Sequence, residues 1–144
     1  MKRFPSILCL LATFVMPTLL SGCAQNIPPE VVANADYGPP PPENYKYIIK
    51  QTIGQMLIDP TAPLYEFSTP TKGYTKRSPV FGTQQAFGWR VCGTVNSKNR
   101  FGGYVGRAPF FVLFRNGVVV SLVTGEGTSD ISFVNVSIGT ACTR

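Results

Sequence analysis

From Tyr45 to Leu57 the apolar side chains fall at helical spacing. Tyr45, Ile48, Ile49, Thr52, Ile53, Met56 and Leu57 share one face, and Lys46, Lys50, Gln51 and Gln55 take the other. The pattern predicts one amphipathic helix, closed at the Asp59-Pro60 step because a residue before proline avoids the helical region. Gly54 within it costs about 1 kcal/mol against alanine and is expected to permit close approach to a sheet. After Pro60 the period changes to two. Leu64 to Phe67 is a short strand candidate, followed by a polar, turn-rich stretch from Ser68 to Pro79. Phe87, Trp89, Val91 and Gly93 alternate with Gly88, Arg90, Cys92 and Thr94, which places Trp89 in the core rather than on a sugar-binding face. Pro109 to Arg115 and Val118 to Val123 flank Asn116-Gly117, a hairpin signal because both turn residues must adopt positive φ. Ile131 to Ile138 is expected as a further strand, after a turn at Gly125, Gly127, Thr128 and Asp130. One helix followed by strands in hairpin order predicts an α+β fold. The N-terminal amphipathic helix packs on one face of a small antiparallel sheet of four to five strands.

Upstream of the helix the pattern vanishes. Residues 24–43 are rich in proline, and Pro39 to Pro42 predict a polyproline II rod, a stiff spacer that contributes nothing to the core. Still earlier, Lys2 and Arg3 precede an apolar run from Ile7 to Leu20 that is too short to span a bilayer. The run closes in Leu20-Ser21-Gly22-Cys23, which resembles the lipobox of bacterial lipoproteins. That resemblance implies cleavage before Cys23, acylation of its thiol and new amino terminus, and a membrane anchor in the lipid itself. Ala24 and Gln25 include no retention-type aspartate, which on the same resemblance implies the outer membrane, facing the periplasm. The expected division is residues 1–22 as signal peptide, 23–43 as lipidated cysteine and Pro-rich tether, and 44–144 as the globular domain.

Charge and cysteine usage fit this layout. The chain carries 13 basic and 7 acidic residues, net +6, and loss of Lys2 and Arg3 with a signal lowers that by two. Such a diffuse excess suits anionic lipid, cell-wall polymer or an acidic partner, and it does not imply nucleic acid. With Cys9 in the signal and Cys23 acylated, Cys92 and Cys142 remain as one expected disulfide in an oxidising compartment. The alternative, a redox pair, lacks a Cys-x-x-Cys spacing and a histidine to tune a thiolate.

Cys92-Gly93-Thr94-Val95-Asn96-Ser97-Lys98-Asn99-Arg100-Phe101-Gly102-Gly103-Tyr104-Val105-Gly106 is the densest unusual segment. With Asp59-Pro60-Thr61-Ala62 before it and Pro109-Phe110 after it, the stretch resembles a group of small exported bacterial proteins. Their signature is Cys-Gly-x-Val-Asn-x-Lys-Asn-x-Phe-Gly-Gly-Tyr-x-Gly. The resemblance implies export and a coherent fold, and it implies no reaction. Read physically, Gly102, Gly103 and Gly106 permit backbone conformations closed to other residues, and Asn96 and Asn99 suit tight turns. Phe101 and Tyr104 are expected to pin the loop to the sheet. Two readings stand together: a compact structural loop, or a contact loop for an anionic partner formed by Asn96, Lys98, Asn99, Arg100, Tyr104 and Arg107.

Catalytic chemistry has little to work with. Without histidine the chain supplies no Ser-His-Asp or Cys-His arrangement, and seven scattered acids offer no metal set or cofactor site. Gly125-Glu126-Gly127 follows a strand but lacks the helix and Lys-Ser/Thr of a phosphate loop. A carboxylate pair would have to be assembled from Asp59, Glu66, Glu126 and Asp130. The expectation is therefore a non-enzymatic, outer-membrane-anchored lipoprotein with a structural or protein-interaction role, in reach of a larger envelope or secretion assembly. A cell-wall-acting enzyme or a peptidoglycan- or glycan-binding module is the alternative, and the oligomeric state is left open. Replacing Cys23→Ala should abolish incorporation of labelled palmitate and block cleavage of the leader. Normal processing and membrane fractionation of that variant would contradict the lipobox.

Overall fold

The computed structural model describes residues 27–77, 84–125 and 133–143. The leader, Cys23, Glu126 and Asp130 lie outside the described residues. The elements are α1 (Pro29–Ala33), α2 (Tyr45–Gly54), β1 (Asp59–Phe67), β2 (Thr71–Thr75), β3 (Ala86–Lys98), β4 (Tyr104–Arg115), β5 (Val118–Thr124) and α3 (Phe133–Thr143). They form a five-stranded antiparallel sheet and short helices, an α+β arrangement.

β3 is the axis of the sheet. Of its 13 residues, those from Trp89 to Lys98 pair along one side with β4. The other side is shared end to end, β2 taking Ala86 to Arg90 and β1 taking Gly93 to Lys98. Ser68 bridges the two short strands, its amide donating to the Cys92 carbonyl at 2.7 Å and its Oγ accepting from the Cys92 amide at 3.0 Å. β4 continues into β5 through Asn116 (φ 51) and Gly117 (φ 79), both left-handed as a two-residue hairpin turn requires. β5 forms one margin of the sheet, and β1 and β2 share the other. β1 carries Pro60 and Pro63, tolerable only where no partner needs their missing N–H, and its register slips between Asp59 and Leu64.

Alternate residues of β3 and β4 face opposite helices. Val91, Val95, Phe110, Val112 and Phe114 form one core with Ile49 and Ile53 of α2, and Tyr45, Ile48, Tyr65 and Phe67 pack around it. Phe111 and Leu113 form a second core with Ile138 of α3, flanked by Val123, Ala141 and Cys142. Both faces of the sheet are therefore covered, where the hydrophobic pattern predicted cover on one.

Three local expectations are corrected. The stretch read as a strand from Ile131 to Ile138 is helical from Phe133 to Thr143. Its β-branched residues suit a strand, yet Ile138, Ala141 and Cys142 are spaced to fall on one helical face, and burying that face on Phe111 and Leu113 overrides local propensity. The polar stretch after Ser68 contains β2, whose side chains have little apolar signal but whose backbone completes the β3 ladder. Gly54 closes α2, and a side chain there would meet nothing within 4 Å, so it serves no close approach. Because the helix stops at Gly54, Met56 of the expected apolar face is exposed.

The Cys92–Cys142 disulfide joins the central strand to α3 across a Cα–Cα distance of 6.1 Å. Arg90 adds a second tie, its Nη1 donating to the Ala141 carbonyl at 2.7 Å, a favourable cation at a helix C-terminus. At the other face, Ile53 is fully buried at the α2–sheet contact. Ile53→Ala should lower unfolding free energy by about 2–5 kcal/mol in urea denaturation, through lost burial and the cavity left behind. A loss below about 0.5 kcal/mol, typical of surface sites, would mean that this contact is not a core contact.

Candidate functional site

The signature segment is the β3–β4 hairpin. Asn99 follows β3 and organises the turn: its amide donates to the Gly103 carbonyl at 2.8 Å, and its carbonyl accepts from the Gly102 amide at 2.9 Å. Its side-chain Oδ1 accepts from the amides of Phe101 at 2.9 Å and Gly103 at 3.1 Å. The short polar side chain thus substitutes for ladder partners that a tight turn leaves unmet. Gly102 takes φ 81, which a β-branched residue would adopt only under strain. Gly103, expected to share that role, is not among the positive-φ residues, and a Cβ on it would make only ordinary contact with Asn99 at 3.7 Å.

A second device lies one step down the hairpin. Gly106 has φ 98 and its amide donates to Asn96 Oδ1 at 3.1 Å, where the β3–β4 register shifts between Asn96 and Lys98. This bulge increases local twist and re-aims the strand end. Both expected contact asparagines are therefore spent on holding backbone.

The cations are arranged differently from one another. Lys98 Nζ lies 5.4 Å from the centre of the Tyr104 ring, a cation–π pair. Tyr104 in turn donates its hydroxyl to the Ala62 carbonyl at 3.1 Å, tying the hairpin to β1. Arg107 pairs with Glu66 at 3.1 Å, with both side chains more than half exposed, so the pair is worth less than about 1 kcal/mol and is open to exchange. Arg100 is exposed beside the turn. Asp59 is held below its ordinary pKa, first by the Thr61 hydroxyl and then by the Thr61 amide, with the Lys98 charge adding to the effect. Because the folded value is depressed, this small contribution is present at neutral pH and lost as pH falls through that value.

Phe101 is the residue that sequence reasoning misplaced. Expected to pin the loop, it is 89% exposed at the turn. The signal was present: a residue between the Asn99 turn and a glycine pair stands at the apex, where no strand lies beneath it. On neighbouring β1, Leu64 is also exposed, so apolar surface flanks the basic and polar groups of the hairpin.

A cavity of about 350 Å³ lies between β1, β3, β4 and α3, lined by Glu66, Phe67, Cys92, Thr94, Phe110 and Ile138 among others. A Cβ on Gly93 would lie 2.0 Å from the Glu66 carbonyl and 2.4 Å from Phe110 Cζ, so glycine is required for the two strands and that ring to meet. The lining is mainly apolar, and its Thr94 hydroxyl donates to Glu66 Oε2 at 3.3 Å, a carboxylate that also pairs with Arg107.

No family model, curated protein or solved structure matches this chain. Among the described residues no group of three or more His, Cys, Asp or Glu converges, and no described helix is long and apolar enough to cross a membrane. What the hairpin offers chemically is contact: an apolar apex, exposed positive charge and a backbone frame that does not depend on the charged side chains. Asn99→Ala should therefore lower the melting temperature and speed amide exchange at Phe101 and Gly103. Arg100→Glu should change stability by less than about 0.5 kcal/mol. Equal loss from both substitutions would place Arg100 in the frame rather than on the contact surface.

Proposed function

We propose that this chain is a lipoprotein anchored through Cys23 to the outer membrane, facing the periplasm, and that its domain is a protein-interaction module using the β3–β4 hairpin. The observation that carries this reading is the hairpin apex. Phe101 is presented to solvent on a turn whose polar backbone groups are satisfied by Asn99, so its exposure is built in rather than a loose end. Large exposed aromatics beside arginine and tyrosine are the side chains from which binding hot spots are made.

The partner that fits has an apolar pocket for Phe101 and acidic groups for Lys98, Arg100 and Arg107. A glycan surface fits less well, because Tyr104 uses its hydroxyl within the fold and the Asn96 and Asn99 side-chain oxygens already hold backbone amides. A larger envelope assembly is the setting proposed for such a module, and the role is structural rather than enzymatic.

A photo-crosslinking residue at position 101, in the full-length protein expressed in a bacterial envelope, should join it to one protein in stoichiometric yield. Phe101→Ser with Arg100→Glu, tested by co-purification in detergent, should lose that protein while keeping the wild-type melting temperature. Retention of the same double variant and of wild type alike on purified peptidoglycan, with no protein crosslink, would move the function to wall binding.

A further inference from the structure

The segment expected to be a stiff spacer outside the core is docked on the domain along part of its length. Arg115 Nη1 donates to the Asp36 carbonyl at 2.7 Å and to the Phe87 carbonyl at 2.9 Å, and Nη2 pairs with Asp36 Oδ2 at 3.1 Å. Tyr37 meets Phe87 edge to face with ring centres 5.8 Å apart, and Lys72 Nζ lies 5.3 Å from the Tyr37 ring centre. Trp89 donates its indole N–H to the Gly38 carbonyl at 3.0 Å. Gly38 itself has φ 68, and a Cβ there would stand 2.6 Å from Asn116 Oδ1. These contacts use backbone carbonyls, a positive-φ glycine and an indole donor, a set that a passing linker would have no reason to satisfy.

The place of docking is as informative as its existence. Phe87 and Trp89 lie near the start of β3, and Arg115 and Asn116 lie at the end of β4. Phe101 lies at the opposite end of both strands. The 12 residues of β4 span roughly 35–40 Å, so the docked segment and the hairpin apex occupy opposite poles of the sheet. Docking also shortens the leash. Residues 23–43 could extend to about 70 Å, whereas the stretch from Cys23 to Asp36 reaches at most about 45 Å, and α1 takes up five of those residues in a helical rise.

We propose that Asp36–Gly38 is an orientation clamp. It holds the β4–β5 turn toward the membrane anchor and points the Phe101 hairpin away from the bilayer. The inference rests on the anchor at Cys23 proposed above. It gives the hairpin a direction, which a flexible spacer would not: the contact surface meets partners standing off from the membrane rather than partners lying on it. Pre-setting that direction removes part of the orientational cost of association.

The test uses the lipidated full-length protein in vesicles carrying an energy acceptor on the lipid headgroups. A donor dye is attached at Val118→Cys, at the clamp pole, or at Arg100→Cys, at the apex, under non-reducing conditions that leave the Cys92–Cys142 disulfide closed. Transfer from position 118 should exceed transfer from position 100. Gly38→Val should undock the segment without altering a core residue, and the difference should then be lost. Asp36→Ala, at a side chain 80% exposed, supplies a second variant that folds, and it should reduce the difference. Failure of the wild-type protein to attach to vesicles would overturn the anchor reading and the orientation with it. Attachment with equal transfer from both positions, or with a difference that Gly38→Val leaves intact, would overturn the clamp alone.

Discussion

Five consecutive apolar residues, Phe110 to Phe114, are buried on both sides of β4, and the rest of the fold answers to that constraint. In a strand, neighbours point to opposite faces, so burying all five requires cover above and below. α2 supplies it for Phe110, Val112 and Phe114, and α3 for Phe111 and Leu113. Neither helix is long enough to be stable by itself in water, so each depends on the strand that it protects. The disulfide and the Arg90 contact with Ala141 act at one seam of this arrangement, where α3 meets the central strand. The other seam relies on packing, with Ile49 and Ile53 fully buried.

The same economy is visible at the hairpin. Polar side chains there serve the backbone, and the large apolar one is left outside. Asn96 and Asn99 each accept from amides that a bulge and a turn strip of their ladder partners. Because that frame is closed without Lys98, Arg100 or Phe101, those positions can vary in chemistry with little consequence for folding. A rigid frame with replaceable tips is how interaction loops commonly sit on a scaffold.

Period-two and turn signals carried much of the sheet. Asn116-Gly117 announced its hairpin because two successive positive φ values leave few residue choices, and the alternation through Trp89 and Val91 marked the core face of β3. The second layer was also present in the letters, in the unbroken run after Pro109, since a strand with one wet face should alternate. What could not be read was α3. Its local preferences favour a strand, and only the position of Phe111 and Leu113 decides otherwise. β2 was equally hidden, being polar and held by backbone pairing that has no side-chain signature. Asp36 to Gly38 were obscured by their surroundings: proline-rich composition predicts a rod, while the contacts of this segment depend on Arg115 and Trp89, more than fifty residues away. For the candidate site, residue types were legible and roles were not, because exposure at Phe101 and internal use of both asparagines follow from turn geometry.

The two margins of the sheet are unlike. β5 reads Val-Val-Val-Ser-Leu-Val-Thr, without charge or proline, whereas the opposite margin is divided between β1 and β2 and interrupted by Pro60, Pro63 and Pro70. A strand margin recruits another chain only through a continuous row of amide donors and carbonyl acceptors. Indefinite stacking of molecules needs two such margins on every copy, one to receive and one to offer. Prolines on one side break that row into short pieces, so the sheet offers one margin suited to pairing and one that resists it, and growth of a fibre is discouraged by the covalent chain itself.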